Sequence, residues 1–181
     1  MNKQIAVFCG SSMGFDPIYQ SSAQEVGRKL VAHKYNLVYG GGSVGLMGVV
    51  ADEVLSLKGQ VTGVITEKLH AWEVGHDGLT QLHIVKTMHE RKAMMAQLSD
   101  GFIALPGGIG TLEEITEITT WLQLGYHQKP CGILNIDGYY NAFITFLDQM
   151  VTQGFLDAKS RNLIIIESNI DDLFAKMPLN N

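Results

Sequence analysis

The sequence has little proline and little cysteine: four and two residues among 181, against 20 glycines. That ratio points to tight backbone turns and close ligand approach rather than disorder. Cys9 and Cys131 lie inside apolar runs, where two reduced, buried thiols are expected. There is no dense basic run, and the formal net charge is −5, which excludes an electrostatic nucleic-acid footprint. No apolar stretch approaches the length of a membrane span. Met1-Asn2-Lys3-Gln4 leads straight into a strand-like run without a signal-peptide pattern, so the expected location is the cytoplasm. The six histidines are scattered, with no pair at ligand spacing. The acidic pairs Glu113-Glu114 and Asp171-Asp172 lack accompanying ligands, so no metal site is expected. A Gly-x-Ser-x-Gly elbow, a fixed-period repeat and a low-complexity linker are all missing. The length suits one domain over residues 1–181.

What is present is an alternation of short apolar runs with longer amphipathic ones. Strands are expected over residues 5–9, 36–39, 61–66, 82–85, 102–105, 132–136 and 163–166. Helices are expected over residues 17–34, 46–58, 89–98, 111–124 and 140–151, with a last short one carrying Leu173 and Phe174. Residues 67–80 are polar, contain Gly75 and Gly78, and read as a loop. Most strand runs are continuously apolar, as in strands buried on both faces of a parallel sheet. The class expected is α/β: a Rossmann-like, doubly wound, mostly parallel sheet of about seven strands flanked by helices. Ligands in that architecture bind beyond the carboxyl ends of the strands. The loops after the first, second and fifth strands are all rich in glycine.

The strongest local signal is Pro106-Gly107-Gly108-Ile109-Gly110-Thr111-Leu112-Glu113-Glu114, which follows a strand and opens a helix. Its glycines let the backbone approach a ligand, and the helix start offers free N–H groups to a phosphate. Thr111 adds a hydroxyl. The stretch from Gly40 to Gly48 formally fits a dinucleotide fingerprint at Gly40, Gly42 and Gly45. It follows the second strand rather than the first, so Gly41 and Gly42 are read as a second wall of one mononucleotide site. Gly10-Ser11-Ser12-Met13-Gly14 is a weaker loop; Ser12 could touch a sugar or phosphate, or the segment could be a plain turn.

Met88-His89-Glu90-Arg91-Lys92 opens another helix. Cations oppose the dipole there, which an anionic ligand would offset. Pairing with the adjacent Glu90 on a solvated face explains them equally well. Glu114 also has two readings. Thr111-x-x-Glu114 has the spacing of a capping box, which spacing alone favours. Otherwise Glu114 is a carboxylate held beside a bound sugar.

Together these segments resemble the LONELY GUY family, whose signature is P-G-G-x-G-T-x-x-E with an M-H-E-R-K segment and a glycine stretch ending in G-L-M-G. The resemblance runs from about Ile5 to Ile166, with lesser matches at Lys129-Pro130, Asn135, Gly138-Tyr139-Tyr140 and Gly154-Phe155. It implies hydrolysis of the N-glycosidic bond of a cytokinin or purine nucleoside 5′-monophosphate, releasing the base and ribose 5-phosphate. It implies Arg91 and Glu114 as the catalytic pair. The nucleotide site it implies takes in Met88, Lys92, Gly107, Gly108, Ile109, Gly110, Thr111, Leu112, Glu113 and Thr120, with Glu73 from the loop before the fourth strand. Trp72 stands where an Arg or other polar residue is expected. The family is typically dimeric or larger, so a homodimer is implied, with the helix over residues 111–124 and Trp121 as a contact. Many members carry an older label of lysine decarboxylase. No pyridoxal phosphate site with a Schiff-base lysine is recognisable here, so no cofactor is expected. Two other functions fit parts of the pattern: a non-catalytic nucleotide or molybdenum-cofactor carrier, and an NAD-dependent oxidoreductase built on the Gly40 fingerprint.

Overall fold

The computed structural model describes residues 2–73 and 75–179, except for the side chain of Glu73. The chain begins with β1 (Gln4–Phe8), α1 (Pro17–Ala32), β2 (Asn36–Tyr39), α2 (Gly45–Ser56), β3 (Val61–Thr66) and α3 (Glu67–Glu73). It continues through β4 (Gln81–Val85), α4 (Met88–Leu98), β5 (Gly101–Ala104), α5 (Ile109–Gln123) and β6 (Cys131–Leu134). A 3-10 turn at Ile136–Gly138 leads into α6 (Asn141–Thr152), α7 (Ala158–Arg161), β7 (Ile164–Glu167) and α8 (Ile170–Lys176). The strands form one seven-stranded sheet in the order β4-β3-β2-β1-β5-β6-β7. Every neighbouring pair is parallel, so the sheet is wholly rather than mostly parallel.

Side chains alternate across the pleat and feed two cores. Ile5, Val7, Leu37 and Ile103 pack under α1, α2 and α8. Ala6, Phe8, Val38 and Phe102 pack under α4, α5 and α6. The central strands are buried on both faces, which is why they read as continuous apolar runs. Free, buried Cys9 and Cys131 belong to these cores, as expected. Burial raises both thiol pKa values, Cys131 to about 12.

The chain winds outward from β1 to β4, then crosses to the other side of β1 and winds out again through β5, β6 and β7. The two loops beside this reversal, after β1 and β5, diverge and leave a crevice. Two local expectations change. Residues 67–73 form α3 instead of a loop; the Thr66 hydroxyl accepts from the Leu69 N–H at 3.2 Å and starts the helix. The general polarity of the segment, with Gly75 and Gly78 beyond it, masked that start. The four-residue α7, held by the Asp157 side chain on the Ser160 N–H, was not expected.

Candidate active site

The glycine segment after β5 enters α5 earlier than its Thr-x-x-Glu spacing suggests. The N-cap is Gly108, in extended conformation, and no side chain caps the helix. Thr111 is therefore the third helical residue, and the expected capping box with Glu114 does not form. The first loop-to-helix bond runs from Leu112 N–H to the Gly108 carbonyl at 3.2 Å. The N–H groups of Ile109, Gly110 and Thr111 precede it and have no helical acceptor. They open onto a cleft of about 340 Å³.

Relieved of capping, Glu114 accepts from Arg91 Nη1 at 3.3 Å. Arg91 is 8% exposed, and the Glu114 side chain 12%. The Arg91 Nε donates to the Val64 carbonyl at 2.9 Å, and its Nη2 to the Gly40 carbonyl at 3.4 Å. A carbonyl within β3 and one just after β2 thus help to hold this cation near the start of α4. A Cβ at Gly40 would stand 2.2 Å from Nη2, so a side chain there would displace the guanidinium from this arrangement. Burial pushes the Glu114 carboxyl up to about 7, outweighing the pull of Arg91. Such a group changes protonation near neutral pH, as proton-transfer catalysis needs.

A capping box does exist, one helix earlier. Thr87 caps α4: its hydroxyl accepts from Glu90 N–H at 3.1 Å, and Glu90 accepts from the N–H groups of Lys86 and Thr87. Glu90 is occupied there, which removes the expectation that it pairs with Arg91 or Lys92. Lys92 instead pairs with Glu113 and Glu117. The hydrogen bond that Lys92 donates to Glu113, together with its contacts to Glu117, raises its pKa against the opposing effect of desolvation.

Arg91, Glu114, Gly108, Ile109, Gly110 and Thr111 therefore share the main cleft. Ser12, Gly107 and Gly108 line a second cleft of about 260 Å³ on the other side of the loop after β1. Several implied residues lie elsewhere. Lys92 borders a narrow crevice that Glu114 and Trp121 also line. Leu112 packs against the second core, and half-exposed Met88 begins α4. Thr120 lines a groove between α5 and α6. Gly41 and Gly42 face the segment before β4: Gly42 bridges to Gly75, and the Gly41 carbonyl accepts from His76 N–H at 3.2 Å. Neither lines the two clefts. The Glu73 side chain lies outside the described residues.

The Gly40 stretch also loses its fingerprint role. The loop after β1 covers the start of α2, and a Cβ on Gly45 would stand 2.2 Å from the Ser11 backbone. The Leu46 N–H is already given to the Gly10 carbonyl at 3.0 Å. The start of α2 is thus packed against the loop after β1, and one of its first amides is already committed.

Sequence reasoning missed Cys9, Met47 and Leu69 in the main cleft, and Tyr19 and Tyr139 in the second. Reading residues 67–80 as a loop hid Leu69. Cys9 had a visible signal, as the last residue of the expected first strand beside the glycine loop. Among the described residues no helix is long and apolar enough to cross a membrane, and no cluster of His, Cys, Asp or Glu could hold a metal.

A doubly wound parallel sheet, an open helix N-terminus and a buried Arg–Glu pair at the reversal define a Rossmann-like α/β protein with an anion-ready cleft. More specifically, the chain belongs to the LONELY GUY family. The cytokinin riboside 5′-monophosphate phosphoribohydrolase LOG7 of Arabidopsis thaliana is 48% identical over 175 residues, 97% of this chain and 81% of that protein. A probable cytokinin riboside 5′-monophosphate phosphoribohydrolase of Oryza sativa subsp. japonica, LOGL3, is 47% identical over 97% of this chain and 83% of its own length. A family model described as "Possible lysine decarboxylase" matches residues 47–177. Among solved structures, the molybdenum cofactor binding protein of Rippkaea orientalis matches with a TM-score of 0.70 at 21% identity, over 97% of this chain and 94% of that one. The Moco carrier protein of Chlamydomonas reinhardtii matches with a TM-score of 0.69 at 20% identity, over 98% and 100%. At those identities the likeness is one of fold.

Proposed function

We propose that this protein hydrolyses the N-glycosidic bond of a purine-type nucleoside 5′-monophosphate, cytokinin riboside 5′-monophosphates included. The observation that carries this reading is the buried Arg91–Glu114 pair beside the open N-terminus of α5. The phosphate docks on the amides of Gly108, Ile109, Gly110 and Thr111, where N–H groups and helix dipole favour an anion. That contact anchors the nucleotide and places its sugar toward Glu114. As the C1′–N bond breaks, its electron pair leaves with the base and positive charge builds on the ribose, as in glycoside hydrolysis. Glu114, as carboxylate, stabilises that charge and orients the attacking water. Water oxygen bonds to C1′, and the displaced proton balances the one taken up by the base. Three backbone and side-chain acceptors fix the Arg91 guanidinium. Its remaining donors hold ribose or phosphate oxygens. The names of the curated relatives support this chemistry. The carrier reading rests on likeness of fold.

The residues off the cleft suggest how subunits meet. Thr120 lies in a groove with Phe143 and Leu147, and Phe146 and Phe155 are exposed nearby. The α5–α6 face is proposed as the contact of a homodimer. Light scattering of the purified protein checks it: two chains are expected, and one chain for Phe146→Glu. The activity test is a chromatographic assay with AMP and isopentenyladenosine monophosphate. Free base is expected from at least one. If the folded protein binds both and cleaves neither, the hydrolase reading fails and a carrier remains.

A further inference from the structure

The loop between β5 and α5 must show amides, not carbonyls, to an anion. Each of its four successive carbonyls has its own donor. The Leu105 carbonyl accepts from the Tyr140 hydroxyl at 2.6 Å. The Pro106 carbonyl accepts from Gly10 N–H at 3.1 Å. The Gly107 carbonyl accepts from the Tyr139 hydroxyl at 2.6 Å. The Gly108 carbonyl accepts from Leu112 N–H at 3.2 Å.

The third of these matters most. The peptide between Gly107 and Gly108 has a glycine on each side, so no Cβ resists its rotation. In a planar trans peptide the C=O and N–H point in opposite directions. Holding the Gly107 carbonyl therefore also sets the direction of the Gly108 N–H. A flip would turn a carbonyl toward an incoming phosphate and repel it. The Tyr139 hydroxyl is the donor that holds this carbonyl among the described residues.

Tyr139 is itself well fixed. It ends the 3-10 turn, where Asp137 and Gly138 have positive φ and the Tyr139 N–H bonds to the Ile136 carbonyl at 2.9 Å. The Asn135 side chain accepts from Tyr140 N–H at 2.7 Å and closes the turn. The Tyr139 ring stands edge-on to Tyr19 and to Tyr140, with centroids 5.7 and 5.0 Å away. Tyr139 also lines the second cleft.

We infer that Tyr139 is a positioning residue for the phosphate loop: its hydroxyl commits the Gly107–Gly108 peptide to present N–H to the substrate's 5′-phosphate. This rests on the proposal that the start of α5 takes that phosphate. Tyr139→Phe tests it, because the ring keeps its aromatic neighbours and only the hydroxyl of a half-exposed side chain is lost. The measurements are kcat and KM for AMP, calorimetric affinity for AMP and for adenosine, and the thermal midpoint. KM and AMP Kd are expected to rise about tenfold, which corresponds to about 1.4 kcal/mol. The kcat, the adenosine affinity and the midpoint are expected to stay close to wild type. An unchanged KM and AMP Kd would overturn the inference while leaving the phosphate reading intact. A fall in midpoint with equal losses for AMP and adenosine would also overturn it, since that marks a general brace. Wild-type protein binding AMP no better than adenosine would instead remove the phosphate reading, and the inference with it.

Discussion

Thr87-x-x-Glu90 and Thr111-x-x-Glu114 have the same spacing and both lie at helix starts, yet their side chains do opposite things. In α4, Thr87 and Glu90 close a reciprocal cap and leave little of either for other work. In α5, the chain turns helical at Ile109, so Thr111 is already inside the helix and Glu114 is one turn too deep to cap. A motif that consumes its donors in one place leaves them open in the other. The difference comes from what precedes each threonine. Gly108 supplies the extended residue that starts α5 early, whereas Thr87 itself is the extended residue of α4.

The largest expected break in this comparison is Glu114→Gln. Gln would have served a capping box, but it cannot be a carboxylate. Turnover of AMP should fall about 10³-fold, within the usual range for a lost acid–base group. Far-UV circular dichroism should be unchanged. Glu90→Gln is its control and should keep both cap and turnover.

Next in size is the pH response. Glu114 ordinarily ionises at 4.5 and here near 7. Activity that needs the carboxylate should rise with pH through an apparent pKa near 7, read from kcat/KM. Stability runs the other way. Between 4.5 and 7 the folded state holds a proton that the unfolded state has released. The contribution is thus fully present below 4.5 and lost by about 7, a change on the order of 3 kcal/mol. Urea titrations at pH 5 and pH 8 should show this slope in the wild type and a flatter one in Glu114→Gln.

The threonines give the smaller effects. Thr111→Val removes a hydroxyl from the cleft but no cap. It should raise KM for AMP several-fold, roughly one hydrogen bond's worth, with stability nearly unchanged. Thr87→Ala should do the reverse, lowering stability by about 1 kcal/mol with KM preserved. Reversal of those two outcomes would mean that the α5 threonine, not the α4 one, carries the cap.

Much of the fold was legible because buried parallel strands show in sequence as uninterrupted apolar runs; Phe102, Ile103 and Ala104 need no periodicity to be recognised. The partners of Arg91 were not legible. Its acceptors stand 23, 27 and 51 residues away, and only the crossing order of the strands brings them together. The two glycine loops were alike in composition but not in use. The Gly45 region packs backbone on backbone, while Gly108 leaves a helix end uncovered. Sequence spacing does not separate those uses. Leu69 was hidden for a local reason, since one hydroxyl cap from Thr66 outweighed a polar, glycine-bearing segment.

The pairing of β1 with β5 also dictates an order of events. Ile5 lies beside Gly101, and Gln4 N–H reaches the Asp100 carboxylate across 96 residues of chain. Four strands can be made and paired before β5 exists, so half of the sheet is available to a nascent chain that has no phosphate cradle. Closing so long a loop is slow relative to local helix formation. In a refolding experiment nucleotide binding should therefore appear late, after most of the helical signal has returned. The cleft is assembled by the joining of two halves and does not belong to either one.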